Sequence, residues 1–203
     1  ADGFAAYVKW VKQQWQGTGN PKIGVLYYDL PSGEMWRVAQ AWAVKQGVEI
    51  VPAQYPYSTM DFKPQFMQLR DAGVNYIWAL QNMAQTPTMV RDYNSLGLKG
   101  QITFTLMEWV EDHALLNLVG DAAEGIYVYR AETPYSGGSQ ATKTYTAALE
   151  RAGIKTGWAD NRLSMNFIAV IKAAVKQAVT DAGWKGLNSP AIYNALNKLT
   201  SID

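Results

Sequence analysis

The chain has 203 residues, 48% of them hydrophobic and 17% charged, enough for one α/β domain, or one domain with an appendage, built around a buried core. Its 18 basic and 17 acidic residues are well mixed and leave a net charge of +1, which excludes nucleic acid or an anionic membrane surface as the main partner. Cysteine is absent and a single histidine is present, which excludes the common zinc and iron sites, so no metal or cofactor is expected.

The hydrophobic period switches repeatedly along the chain. Phe4, Tyr7, Val8, Val11 and Trp15 recur at helical spacing, with Gly17 as a stop. Ile23 to Tyr28 is a continuous apolar run, the pattern of a strand buried on both faces. Gly33 to Gln46 predicts a helix ending at Gly47, followed by a strand over Val48 to Ala53 whose Pro52 suits a sheet edge. Asp61 to Asp71 predicts a helix capped by Thr59 or Asp61, with Pro64 in its first turn and Gly73 beyond its end. Asn75 to Leu80 predicts a third strand, Thr86 to Leu96 a helix, Ile102 to Leu106 a fourth strand, Asp112 to Val119 a short helix and Gly125 to Tyr129 a fifth strand. No apolar run reaches the ~18 residues that a membrane span requires.

Alternation of this kind implies right-handed crossovers and a parallel, doubly wound α/β sheet with helices on both faces, in the strand order 2-1-3-4-5. The pattern changes after Arg130. Glu132 to Gly138 has the composition of a loop, and only helices are predicted beyond it: Ala141 to Ala152, a longer one with an apolar stripe from Phe167 to Ala182, and Pro190 to Leu199. The expected division is an α/β domain over 1–132 and a loop with helices over 133–203. The chain opens Ala1-Asp2-Gly3 with no initiator methionine and no signal peptide, as expected of a processed product or an excised fragment. The lack of cysteine suits an oxidising compartment entered without disulfides.

In an open parallel sheet, ligands bind outside the carboxyl ends of the strands. The residues just past those ends run from Tyr28 through Asp29 to Glu34, then Tyr55 to Ser58, Gln81 to Met83, Met107 to Trp109, and Arg130 to Glu132. Together they form a polar and aromatic rim suited to a small polar molecule with an apolar portion. Solvated loops are polar for their own reasons, so the rim by itself does not decide. Enzyme signatures are missing. The turn after the first strand lacks the spacing and the lysine of a phosphate loop, and no Gly-x-Ser-x-Gly elbow occurs. His113 has no evident serine partner and is expected to be an ordinary surface histidine, while Glu111 and Asp112 suit the start of a helix electrostatically. Trp10, Trp15, Trp36 and Trp42 are expected to pack from helices, and Trp78 to lie in the core.

Three segments carry a family resemblance. Pro21 to Asp29 followed by Ser32-Gly33 resembles the first strand and turn of the second lobe in the branched-chain amino-acid-binding (Leu/Ile/Val-type) receptors. Asp61-Phe62 leading to Leu69-Arg70-Asp71-Ala72-Gly73-Val74-Asn75-Tyr76-Ile77 resembles the next helix and strand, and Gly120 to Tyr127 is the most specific match. The resemblance implies a type I periplasmic-binding-protein fold of two α/β lobes that close on a ligand about crossover strands. It further implies that Glu132 to Gly138 is such a crossover and that the helices after it belong to the first lobe.

By the same resemblance, Glu108 occupies the position of an acid that receives a ligand ammonium, for which a carboxylate suits because its hydrogen bonds are charge-assisted. Ser32, Gln81 and Asn82 stand where aromatic residues are common. This departure disfavours a branched-chain ligand and suits a more polar amino acid, an amide or an aromatic acid. The expected ligand contacts are Tyr28, Ser32, Gln81, Asn82, Glu108 and Trp109. The function implied is that of an extracytoplasmic solute-binding component that docks on the membrane permease of an ABC importer, periplasmic or extracellular, and membrane-tethered if a lipoprotein. The alternative is a ligand-sensing receptor or regulator domain of the same fold.

Overall fold

A computed structural model describes residues 2–107, 112–130, 140–153 and 159–200. The elements are α1 (Asp2–Gln14), β1 (Lys22–Tyr28), α2 (Arg37–Lys45), β2 (Glu49–Tyr55), α3 (Lys63–Asp71), β3 (Tyr76–Ala79), α4 (Thr86–Ser95), β4 (Thr103–Leu106), α5 (Asp112–Val119) and β5 (Tyr127–Val128), then α6 (Gln140–Arg151), α7 (Ala159–Ala182) and α8 (Ser189–Lys198). They form two compact units, Ala1–Ala131 and Glu132–Asp203.

The first unit is a five-stranded sheet in the order β2-β1-β3-β4-β5. Every pair is parallel, with Ile23 opposite both Ile50 and Tyr76, and Trp78 opposite Thr105. The expected order and fold class are therefore observed. Pro52 lies in β2 at the sheet edge, where its missing N–H costs no ladder bond.

Strand alternation divides the core in two. Leu26, Ile77, Ala79, Phe104 and Leu106 point to a face covered by α3, α4 and α5, through Phe66, Leu69, Val90, Tyr93 and Leu115. Ile23, Val25, Tyr27, Tyr76 and Trp78 point to the opposite face, covered by α1 and α2 through Phe4, Tyr7, Val8, Val11, Ala39 and Ala43, with Trp36 fully buried beside them. Phe66 packs edge-on to Phe104 at 5.3 Å between ring centres, an arrangement that the ring quadrupoles favour. Tyr93 lies 4.9 Å from the same ring. After α3 the chain turns through Gly73 at φ 71°, a left-handed conformation that glycine adopts without steric cost.

Several local expectations are corrected. The helix expected from Gly33 begins instead as a 3-10 turn over Pro31–Trp36 and becomes α-helical at Arg37. Neither Thr59 nor Asp61 is the cap of α3: Phe62 occupies that position, and its N–H is taken by the carboxylate of Asp92, far along the chain, at 2.8 Å. Asp61 accepts from the Lys63 N–H at 3.2 Å. The fifth strand holds two residues rather than five. Trp15 lies one residue past α1, its indole N–H donating to the Gly19 carbonyl at 3.0 Å.

The second unit is helical in its described residues. α7 packs on α8, burying the small side chains Ala174, Ala178 and Ala195. Asn188 caps α8, its side chain accepting from the Ala191 N–H at 2.9 Å, and Pro190 occupies the first turn. Lys198 and Gln177 both donate to Asp181, each at 2.8 Å. Their hydrogen bonds, Lys198 first, hold the Asp181 carboxyl below its usual pKa. Phe167, Ile168, Ile171, Trp184 and Tyr193 are exposed. Among the described residues no helix is long and apolar enough to cross a membrane.

Candidate functional site: the rim at the carboxyl ends of the strands

At the end of β1, the half-buried ring of Tyr28 meets Tyr55 and Tyr57 edge-on, at 6.2 and 5.2 Å between centres. Asp29 fastens this end to the end of β2. Its N–H donates to the Tyr55 carbonyl at 3.0 Å, and its carboxylate accepts from the Tyr57 N–H at 2.8 Å. The chain then folds back through the 3-10 turn, where the Gly33 N–H donates to the Leu30 carbonyl at 2.8 Å. A Cβ at Gly33 would collide with the Tyr28 carbonyl oxygen, so only glycine fits. This tight return leaves Ser32 exposed.

At the end of β2, Tyr55 is buried and its hydroxyl donates to the Leu80 carbonyl at 2.6 Å. Burial, reinforced by the neighbouring Tyr28 and Tyr57 phenols, pushes the Tyr55 phenol well above its usual range, so it remains a neutral donor. Two residues on, Tyr57 is 45% exposed.

At the end of β3, Gln81 is 3% exposed and both ends of its amide are used: Nε2 donates to the Met107 carbonyl at 3.1 Å, and Oε1 accepts from the Met107 N–H at 3.4 Å. Gln81 therefore ties the end of β3 to the end of β4. Asn82 is half-buried and forms a reciprocal cap with Gln85. Its Oδ1 accepts from the Gln85 N–H at 3.0 Å, and the Gln85 Oε1 accepts from the Asn82 N–H at 3.3 Å. This is a capping-box arrangement at the entry to α4. It leaves the Asn82 Nδ2 as a donor with no partner among the described residues.

Tyr28, Ser32 and Asn82 thus stand at the carboxyl ends of β1 and β3, while Gln81 is enclosed behind them. Glu108 and Trp109 lie outside the described residues, as do Glu111 and the Glu132–Gly138 loop. The backbone of His113 lies in α5, and its side chain is not described. Met107, the residue before Glu108, is buried at the end of β4. Sequence reasoning passed over Gln85 and Tyr57. The spacing Asn82-x-x-Gln85 ahead of the apolar positions of α4 is a readable cap signal, and Tyr57 falls within the rim but carries no further mark.

A recess of about 300 Å³ lies between α1 and β5, against Tyr7, Trp10, Thr105 and Tyr127. Another, of about 440 Å³, lies beside Leu116, Gly120 and Asp121. Among the described residues no group of acidic and histidine side chains is arranged to hold a metal ion.

A parallel sheet in the order 2-1-3-4-5, with a tyrosine, amide and hydroxyl rim at its carboxyl ends, is the architecture of one lobe of a type I binding protein. The family model described as periplasmic binding protein matches residues 1–203, and the chain belongs to that family, of the Leu/Ile/Val type. No curated protein sequence matches the chain significantly. Among solved structures, the chain is similar to the fatty acid ABC transporter substrate-binding protein from Thermomonospora curvata, with a TM-score of 0.83 and 18% identity over 99% of this chain and 51% of that one. It is also similar to an R. palustris solute-binding protein in complex with 4-hydroxybenzoate, with a TM-score of 0.75 and 20% identity over 98% of this chain and 53% of that one. A branched-chain amino acid ABC transporter protein from Thermus thermophilus with bound valine gives a TM-score of 0.68 and 17% identity over 95% of this chain and 50% of that one. The chain spans about half the length of these structures.

Proposed function

We propose that the chain forms one ligand-holding face of an extracytoplasmic solute-binding receptor that serves the permease of an ABC importer and carries out no reaction chemistry. The observation that carries this reading is the rim itself, in which exposed groups are held by buried ones. The buried Tyr55, Gln81 and Gln85 spend polar atoms on backbone groups, as the exposed Asp29 also does, while Ser32 and Tyr57 are exposed and Asn82 is half-buried. Such preorganisation lowers the ordering cost that binding must overcome. A bound solute would stack on Tyr28 and Tyr57, donate to or accept from Ser32 and Asn82, and meet Glu108 and Trp109 from the end of β4. Gln81 contributes by holding Met107, and so the strand end from which Glu108 departs.

The neighbours named above carry a fatty acid, a hydroxybenzoate and an amino acid in their descriptions, so likeness of fold leaves the solute class open. The rim favours a solute with a flat or apolar part and a polar end: an amino acid, an amide or an aromatic acid. The helices of Glu132–Asp203 are assigned, by family likeness, to the opposite lobe. A two-lobed receptor divides its contacts between lobes, so this chain alone is expected to bind weakly.

The test is a thermal-shift panel of amino acids, amides, aromatic acids and sugars on the two-lobed parent protein, repeated with Glu108→Gln. A solute at 100 times its Kd adds about 2.7 kcal/mol, which is several degrees. An amine-bearing hit that fades in the variant supports both the receptor reading and Glu108. A hit indifferent to the substitution keeps the receptor and removes Glu108 from the site. Silence across the panel shifts the reading to a sensor of the same fold or to a solute outside the classes tested.

A further inference from the structure

Gln85 was not among the expected ligand contacts, yet its side chain reaches the rim loops after both β2 and β3. It is 2% exposed. Its Oε1 accepts from the Asn82 N–H at 3.3 Å and lies 3.3 Å from the Tyr55 hydroxyl oxygen, whose proton goes to the nearer Leu80 carbonyl. Its Nε2 donates to the Tyr57 carbonyl at 2.7 Å and to the Thr59 carbonyl at 3.4 Å. A cap at the start of α4 requires only the first of these bonds, and glutamate would supply it equally well. The donor pair to Tyr57 and Thr59 lies outside that requirement and is available only to an amide, because an ionised carboxylate accepts and never donates.

We infer that Gln85 is a positioning residue of the rim: it fastens the loop after β2 to the loop after β3 and so fixes where Tyr57 and Asn82 stand, without touching a ligand itself. What those loops hold rests on the receptor reading; their coupling through Gln85 does not. A buried amide with both ends filled is costly to disturb, since a side chain that cannot donate leaves the Tyr57 and Thr59 carbonyls without this partner. The cross-link therefore gives the two loops one common spacing.

The experiment is amide hydrogen exchange on the whole chain, without ligand, for the wild type, Gln85→Glu and Gln85→Met. Gln85→Glu keeps the cap but, while ionised, has no donor for Tyr57 and Thr59. The amides of Tyr57 to Met60 are expected to exchange about tenfold faster at neutral pH, the scale of one lost hydrogen bond. The first turn of α4 and the amides of β1 and β3 should keep wild-type protection. Burial raises a carboxyl pKa, so at lower pH the protonated acid regains an O–H donor, and protection of the loop should return toward that of the wild type at the same pH. Gln85→Met, which conserves volume and loses both functions, should loosen the loop and the start of α4 together at every pH. Two results overturn the inference: unchanged protection of Tyr57 to Met60 in both variants, or an equal rise over the loop, β1 and β3, which would mean that Gln85 only supports the fold. Because exchange is read without any solute, loss of this coupling and failure of the receptor reading are separate outcomes.

Discussion

The two units of the chain use apolar side chains in opposite ways. Ala1–Ala131 places its largest ones inside, with Trp36, Tyr55, Phe62, Phe66, Tyr93 and Phe104 almost wholly buried against a sheet that is covered on both faces. Glu132–Asp203 buries small ones where α7 meets α8, at Ala174, Ala178 and Ala195, and leaves Phe167 60% and Trp184 76% exposed. The first unit contains a core by itself. The second has the sequence of core-facing helices without, among its described residues, the layer they would face. Helices with an uncovered apolar stripe are normally completed by packing rather than by propensity. The difference teaches that the sheet unit carries its own core while the helical unit leaves its large apolar side chains exposed, and it can be broken or sharpened experimentally.

The largest effect is expected at the centre of the sheet's core. Phe66 is fully buried and touches Tyr93 and Phe104, so Phe66→Ala should cost about 3–5 kcal/mol, read as a lower urea midpoint. A loss below about 1 kcal/mol would contradict a close-packed core at this point. Next comes alkaline pH. Burial pushes the Tyr93 phenol up from 10.0 to about 12, and the Tyr55 and Tyr7 phenols are raised further by the same cause. A phenol that ionises more readily when unfolded stabilises the fold fully below pH 10.0 and loses that contribution as pH rises toward its folded value. Thermal melts should therefore be flat with respect to these groups up to about pH 10 and fall steeply toward pH 12, with the share of tyrosinate absorbance due to these buried phenols appearing as the sheet unfolds. Early titration of all the tyrosines without unfolding would break the comparison.

A smaller effect separates rim from core. Tyr55→Phe keeps the ring among Tyr28 and Phe62 but removes the hydroxyl that donates to the Leu80 carbonyl, at an expected cost of about 1–3 kcal/mol. Heteronuclear NMR should confine the shift changes to residues near Leu80 and Gln85; changes spread through α1 and α2 would mean that the two faces of the sheet are not independent.

Much of the sheet unit is legible in the sequence because its signals are local. The apolar runs, the turn glycines and Pro52 each act within a few residues, and right-handed crossovers then leave the order β2-β1-β3-β4-β5. What was not legible depends on distant partners. The carboxylate that takes the N–H of Phe62, the cap residue of α3, comes from Asp92, thirty positions away. The 3-10 start before α2 follows from the approach of Gly33 to the Tyr28 carbonyl. In the site, the topological rule pointed to Tyr28, Ser32 and Asn82, but the enclosure of Gln81 depends on Met107 across the sheet. Gln85 announced its cap through Asn82-x-x-Gln85, whereas its bond to the Tyr57 carbonyl spans 28 positions and leaves no local trace.

The smallest expected effect tests the helical unit. Phe167 lies on α7 and is 60% exposed, so Phe167→Ser in this chain should change stability by no more than about 0.5 kcal/mol. It should also reduce self-association measured by light scattering, because exposed apolar patches promote contact between copies. A loss above about 1 kcal/mol would mean that Phe167 is packed and that the second unit has a core of its own. The same substitution in a two-lobed parent separates the remaining alternatives. If α7 covers the sheet of the opposite lobe, as family likeness implies, the side chain is core there, and the substitution should destabilise the parent by about 3–5 kcal/mol, read as a lower melting temperature. A cost as small in the parent as in this chain would instead leave the stripe on α7 facing solvent, and the family assignment of Glu132–Asp203 to the opposite lobe would have to be given up.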